Sequence, residues 1–306
     1  MATAPFYIVG PTASGKSALA LALTECRPGA FEIVNADAFQ LYRGIDTLTA
    51  APTAAERAAA PHHLYGVLAP SEDCDAARFA ALAEPVLCDI AARGKTALVV
   101  GGSGLYLKAL THGLATLPAA DPALRERLRA MADAEKIALL HQLDPAGAGA
   151  VNPGNPRHVE RALEICLLTG QPASERRTGW QKPADPTLRG VFLAWPRDLL
   201  CQRIHRRTTA ILAAGAVGEV ARIDAAGGFS RTSEKAIGVR ECRAIAAGTM
   251  SVAEAVEVVE TATRQYAKRQ TTWFRRETWL TPLPCHPDTT AKSLAHGLLP
   301  RLGDPS

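Results

Sequence analysis

Gly10-Pro11-Thr12-Ala13-Ser14-Gly15-Lys16-Ser17 lies between an apolar run, Phe6-Tyr7-Ile8-Val9, and an Ala- and Leu-rich stretch, Ser17 to Leu23. The eight residues fit G-x-x-x-x-G-K-[ST], and a strand before and a helix after are the setting in which that pattern binds phosphate. The glycines let successive backbone N–H groups turn inward on an anion, the helix start adds positive potential, and Lys16 reaches the terminal phosphate. Ser17 is the position that ligates Mg²⁺ in such loops. The pattern leaves open whether the phosphates belong to a nucleotide or to another diphosphate.

Two further apolar runs end the same way. Phe31 to Val34 leads into Asn35-Ala36-Asp37, and Thr96 to Val100 leads into Gly101-Gly102-Ser103, with a helical stretch, Ala76 to Ala92, between them. Strands alternating with helices predict a parallel sheet flanked by helices, so the fold class expected is α/β with a P-loop NTPase-like core. Ligands of such sheets bind beyond the carboxyl ends of the strands, which predicts that all three strand ends meet at one site. A hydrolytic member of this loop class needs a metal-holding Asp after an apolar strand, yet Leu98-Val99-Val100 is followed by Gly-Gly-Ser. Asp37 instead follows the strand next after the loop helix, which favours group transfer with Asp37 handling the acceptor. Its alternative role is an Asx-type turn or cap.

The pattern changes after Leu117-Pro118. Pro122 to Leu143 reads as charged helix, Val151 to Pro156 as a break, Arg157 to Leu168 as helix and Gly170 to Pro186 as loop, before Val191 to Ala194 returns as a strand. This predicts a core of 1–111 and 189–280, a mostly helical insertion at 112–188, and a loose tail at 281–306; a separate second domain would give the same pattern. From Asp198 onward the chain reads as helical. Arg264 to Arg276 holds five cations and no acid. At ~3.6 residues per turn, Arg264, Lys268 and Arg275 share a line, with Tyr266 and Trp273 opposite. That arrangement suits either a helix presenting charge to nucleic-acid phosphate or a solvated face over a core stripe. Arg203, Arg206 and Arg207, and Arg125, Arg127 and Arg129, extend the cationic set.

Composition bounds the rest. Of 306 residues, 47% are hydrophobic and 21% charged, the balance of a soluble globular protein rather than a disordered or fibrous one. No apolar stretch approaches the ~18 residues of a membrane span, and Met1 to Val9 lacks the basic flank of a signal peptide; a cytoplasmic monomer is expected. Seven cysteines without a CxxC pair fit reduced thiols rather than a disulfide framework or zinc site. The net charge of +4, from 34 Lys and Arg against 30 Asp and Glu, is too small to imply a polyanionic partner by itself.

Taken together, GPTASGKS at 10–17, NADAFQLYRGID at 35–46, PHHLYGVLAPSE at 61–72, GGSGLYLKAL at 101–110, HVERALEICLLTG at 158–170, AIGVRE at 236–241 and TRQYAKRQTTWFR at 263–275 resemble the tRNA dimethylallyltransferases. The resemblance spans nearly the whole chain. It implies transfer of a dimethylallyl group from dimethylallyl diphosphate to the exocyclic amine of the adenosine immediately 3′ of the anticodon, with Mg²⁺ required. It further implies that Gly10 to Ser17 hold the donor's diphosphate and that Asp37 accepts or orients the amine proton. Lys16, Ser17 through Mg²⁺, and Ser103 would take up the leaving charge. Asp37, Ala38, Phe39 and Gln40 match the segment that receives the target base, and Arg125, Arg157, His158, Val159, Glu160 and Arg161 match tRNA-contacting positions. The chain departs from the family's usual residues at Ser103 (often Thr), Ala38-Phe39 (Ser-Met), Arg157-His158 (Gln-Arg) and Ala51 (often Lys). Other readings are an adenylate dimethylallyltransferase, a P-loop small-molecule kinase and a non-catalytic RNA-binding module.

Overall fold

The computed structural model describes residues 4–302 except 115–116, 119–120, 153, 177–184 and 186. Phe6–Val9 (β1), Phe31–Asn35 (β2), His62–His63 (β3), Thr96–Gly101 (β4), Arg189–Ala194 (β5) and Leu280–Pro284 (β6) form one sheet in the order β3-β2-β4-β1-β5-β6. Every pair is parallel. Every residue of β1, β2 and β4 is buried, which is why these strands read as continuous apolar runs rather than alternating ones. The architecture is the P-loop NTPase-like α/β fold.

Flanking helices supply the second layer. Leu19, Ala20, Ala22 and Leu23 of helix Lys16–Cys26 pack with Phe6, Ile8, Ile33 and Leu98 of the sheet in one core. The 23-residue helix Val252–Phe274 opens with a capping box, Ser251 and Glu254 each accepting the other's backbone N–H, which satisfies two otherwise unpaired donors.

The segment after Thr281 corrects the expectation of a loose tail. Leu280–Pro284 pairs with β5 from Gly190↔Leu280 to Ala194↔Pro284, and Ala295, Leu298 and Leu302 of helix Ala291–Leu302 are buried in the same core as Leu19 and Leu23. Pro282 and Pro284 disguise the strand, since proline cannot donate to a ladder; β6 tolerates them because it is the sheet's edge. Residues 303–306 lie outside the described residues, as does most of the expected loop at 170–186, within which Ala173–Arg176 is helical.

Two compact units divide the chain, Met1–Thr111 with Ala184–Ser306, and His112–Pro183. The smaller is helical: Pro122–Ala130, Asp133–Leu143, Pro145–Ala150 and Pro156–Thr169 enclose Leu128, Leu140, Val159, Leu163 and Ile165. The stretch read as one helix, 122–143, is broken at Met131-Ala132. Glu164, buried within this unit, receives Arg125 at 2.8 and 3.0 Å, Arg161, and the Asp121 N–H.

In the larger unit, the buried Glu32 carboxylate on β2 is held by Arg93, Lys95 and His63. Hydrogen bonding from Arg93 foremost lowers it from 4.5 to about 2, against the opposing effect of burial. Because its folded value is the lower one, its stabilisation is present above the unfolded value and is lost as pH falls from about 4.5 toward 2. Glu32→Gln should therefore flatten the acid limb of the stability curve by on the order of 3 kcal/mol. Urea midpoints at pH 7, 4 and 3 check this; parallel curves for variant and wild type would refute it.

Candidate functional site

The site is built where β1, β2 and β4 end. Gly10 and Gly15 adopt φ of 155° and 94°, a region that glycine enters freely, and the loop they bound opens the helix that begins at Lys16. Ala13 between them also has positive φ, 62°, a strained state for alanine that surrounding contacts must hold. Two contacts do so: Arg203 Nε donates to Ala13 O at 2.7 Å, and Trp195 Nε1 donates to Ser14 O at 2.8 Å. Arg203 also lies over the Trp195 ring, 4.4 Å from its centroid. Inside the loop, Ser14 Oγ is buried without a hydrogen-bond partner among the described residues, and Lys16 Nζ donates to Pro11 O at 2.8 Å. Burial lowers Lys16 to about 8, with Asp37 opposing and Arg207 adding to the shift.

The second strand end carries Asp37. Asn35 Oδ1 accepts the Asp37 N–H at 2.8 Å, while Asp37 Oδ1 accepts the Phe39 N–H at 3.0 Å. The turn-cap role is thus real and occupies one carboxylate oxygen. From the third strand end, Ser103 Oγ accepts the Ala38 N–H at 2.9 Å and hydrogen-bonds with the Tyr266 phenol. Gly101 has no alternative, because a Cβ there would overlap Ala36 O. Gln40 spends its amide on Thr49 O and Ala50 O, both at 3.0 Å.

Thr12 and Asp37 border a cavity whose lining also includes Arg207, Tyr266 and the apolar side chains of Leu48, Ile204, Ile211, Leu212 and Val259. Arg207 and Arg203, read as surface cations, face inward instead: Arg207 bonds Thr49 O at 2.9 Å and lines the cavity. Burial lowers the Arg207 guanidinium and Asp37 acts against that shift. Burial, then Asp37, raises the Tyr266 phenol, which keeps it neutral. Arg207 and Asp37 in the lining of a largely apolar cavity, with Lys16 near enough for both to act on its charge, can hold a polyanionic headgroup with an apolar tail.

Gln270 was invisible to sequence reading. It is buried, accepts the Thr12 N–H at 2.8 Å through Oε1 and donates to Gly102 O at 2.9 Å through Nε2, so it ties the phosphate loop to the loop after β4. The available signal was a polar side chain amid Ala267 and Phe274, at i, i+3, i+7 spacing.

Those three residues, with Ala255 and Val259, form the buried face of the helix, and the aromatic stripe borders it, Tyr266 half-buried and Trp273 exposed. Arg264, Lys268 and Arg275 are exposed, although Arg264 pairs with Glu260 at 3.0 Å. In the smaller unit, Arg157 and His158 are exposed and Val159 is buried. Glu160 accepts from Lys136 at 2.9 Å, and Arg125 and Arg161 are turned to Glu164.

Fold and site define a P-loop α/β protein in which the glycine-rich loop after β1 and the Asp37 carboxylate after β2 meet at a largely apolar cavity. A sequence model of the family described as IPP transferase matches residues 40–277, and the chain belongs to that family. A tRNA dimethylallyltransferase of Akkermansia muciniphila is 40% identical over 97% of this chain and 99% of its own length, and one of Anaeromyxobacter dehalogenans is 42% identical over 93% and 97%. Among solved structures, the tRNA isopentenylpyrophosphate transferase of Bacillus halodurans is 32% identical with a TM-score of 0.69, covering 99% of this chain and 97% of that one. A eukaryotic dimethylallyltransferase acting on tRNA is 26% identical with a TM-score of 0.76, covering 97% and 76%. Among the described residues, no helix is long and apolar enough to cross a membrane.

Proposed function

We propose that the chain transfers a dimethylallyl group from dimethylallyl diphosphate to the N6 amine of the adenosine immediately 3′ of the anticodon in tRNA, working as a cytoplasmic monomer. The observation that carries this reading is that Asp37 and Arg207 line one largely apolar cavity together with Thr12 of the phosphate loop, and that both act on the charge of Lys16. The diphosphate sits in Gly10 to Ser17 and against Arg207, and the five-carbon tail enters the apolar walls. The adenine N6 attacks C1 of the prenyl group, the C1–O bond breaks, and diphosphate leaves with the electron pair. The N6 proton passes to the Asp37 carboxylate, while the loop N–H groups, Lys16 and the Ser103 hydroxyl stabilise the departing anion.

Mg²⁺ fits this arrangement. Ser17 is exposed at the helix start, and one hydroxyl completed by diphosphate oxygens and water is an ordinary Mg²⁺ shell. Bound there, the ion would neutralise charge on the leaving group.

Incubation with labelled dimethylallyl diphosphate and either tRNA or AMP tests the proposal. Label in tRNA alone supports it, label in AMP selects the cytokinin-type reaction, and label in neither refutes transfer. RNA affinity should also depend on the outer face of helix Val252–Phe274. Replacing Arg264, Lys268 and Arg275 by Ala should flatten the slope of log K against log salt by roughly 0.7–0.9 for each phosphate no longer neutralised. Arg264 contributes the least because Glu260 partly neutralises it. An unchanged slope would make these cations structural only.

A further inference from the structure

The helix Asp46–Thr49 is a single turn, too short to satisfy the N–H and C=O groups at its own ends. Side chains from outside it do so instead. Glu219, buried on helix Ala216–Ala225, accepts the Thr47 N–H at 2.8 Å through one carboxylate oxygen and the Leu48 N–H at 3.0 Å through the other. At the far end, the Thr49 carbonyl receives Arg207 Nη2 at 2.9 Å and Gln40 Nε2 at 3.0 Å. Leu48 itself is buried. A Cβ on Gly238 would stand 2.8 Å from Leu48 Cδ1, so only a glycine there lets the leucine pack so closely.

This turn separates two spaces. Leu48 and Thr49 line the largely apolar cavity that Asp37 borders, whereas Asp46, Thr47 and Ala50 line an outer groove with Pro52, Ala210 and Ala214. Arg207 and Ile211 line both. Ile211 follows Arg207 by one turn, about 6 Å along helix Arg197–Ala213, so the wall it makes with Leu48 begins close behind the guanidinium assigned to the diphosphate. Five alanines lie along the outer groove, side chains small enough to leave room beyond that wall.

We propose that Leu48 is the residue that limits prenyl length: with Ile211 it closes the tail site after five carbons, and Glu219 is the positioning residue that holds it in place. The inference rests on the dimethylallyl-transfer reading above and adds to it what excludes longer donors. Glu219 touches neither donor nor RNA in this scheme and acts through the Thr47 and Leu48 N–H groups. A carboxylate suits that task because it offers one acceptor oxygen to each donor. An amide has a single acceptor oxygen and would set its own N–H against the second donor.

The test compares transfer from dimethylallyl diphosphate and from the ten-carbon geranyl diphosphate to an anticodon stem-loop RNA. Selectivity is the ratio of the two kcat/KM values measured on one preparation, so it does not depend on how much of a variant is folded. Wild type should favour the shorter donor by more than about tenfold. Each further methylene that finds an apolar site is worth about fourfold, so opening the wall to two of the extra carbons should shift selectivity toward geranyl about 15-fold. Leu48→Ala should show that shift, as should Ile211→Ala, which stands on a separate helix and keeps the length limit testable if Leu48→Ala does not fold. Glu219→Ala should shift selectivity the same way by a smaller factor, Glu219→Gln should fall between it and wild type, and RNA KM should stay unchanged in both. Because Glu219 acts through Leu48, adding Glu219→Ala to Leu48→Ala should change selectivity little further. Selectivity within threefold of wild type in Leu48→Ala or Ile211→Ala would overturn the length limit, as would a wild type that uses both donors equally. Full additivity of the Leu48 and Glu219 effects would overturn the positioning role. Wild-type protein that transfers neither donor to RNA would overturn the transfer reading itself, and the length limit with it.

Discussion

Asp37→Asn should leave RNA and prenyl-donor binding nearly intact and lower the single-turnover rate about 10²–10⁴-fold. Asp37 Oδ1 accepts the Phe39 N–H and its own N–H is held by Asn35, and an Asn side chain can preserve both contacts. What the substitution removes is the negative charge, and with it a site for the amine proton. An amide carbonyl cannot take that proton near neutral pH. If the carboxylate served only as a turn cap, Asn would do almost as well, since Asp and Asn are near-equal in that role. Single-turnover quench-flow with saturating RNA separates the chemical step from product release. A chemical rate within fivefold of wild type would remove Asp37 from the catalytic set.

The difference between what sequence revealed and what it hid follows from distance along the chain. The phosphate loop and the ends of β2 and β4 were legible because each is a local pattern, an apolar run closed by glycine or small polar residues, and because strands buried on both faces leave that mark. The turn around Asp37 was legible as an alternative for the same reason. The inward aim of Arg203 and Arg207 was not, because it depends on how helix Arg197–Ala213 lies against the phosphate loop, from which Arg203 is separated by 190 positions. Arg125 gives the same lesson in the smaller unit. Its partner Glu164 is 39 positions away, so the sequence shows an arginine in a basic stretch and the fold shows a buried ion pair. Such a pair makes Arg125 costly to remove whether or not RNA touches it, since loss of one partner leaves the other charge buried and uncompensated. β6 was hidden for another reason: its prolines carry the signature of a loop, and only its place at the sheet's edge makes them compatible with a strand.

Lys16→Ala should cut transfer by about 10²–10³ or more while leaving the fold intact, because a single preorganised donor aimed at developing charge contributes roughly 3 kcal/mol to lowering the barrier. The contacts of the loop show why the fold should survive: Lys16 Nζ bonds one backbone carbonyl, Pro11 O, while the loop's shape is held independently by Arg203 and Trp195. Lys16 also gives the reaction a pH signature. Burial holds it at about 8, and an arriving diphosphate favours the charged form, so donor binding above pH 8 must take up a proton. The donor KM of wild type should therefore rise as pH increases from about 8 toward about 9.5, approaching tenfold per unit. In Lys16→Ala that rise should be absent, because the titrating group is gone and Arg207 remains charged throughout. Donor affinity measured by calorimetry in two buffers of different ionisation enthalpy gives the proton uptake directly. A rise of equal steepness in wild type and variant would assign the titration to another group, and transfer by the variant within threefold of wild type would show that the loop lysine does not carry the leaving charge.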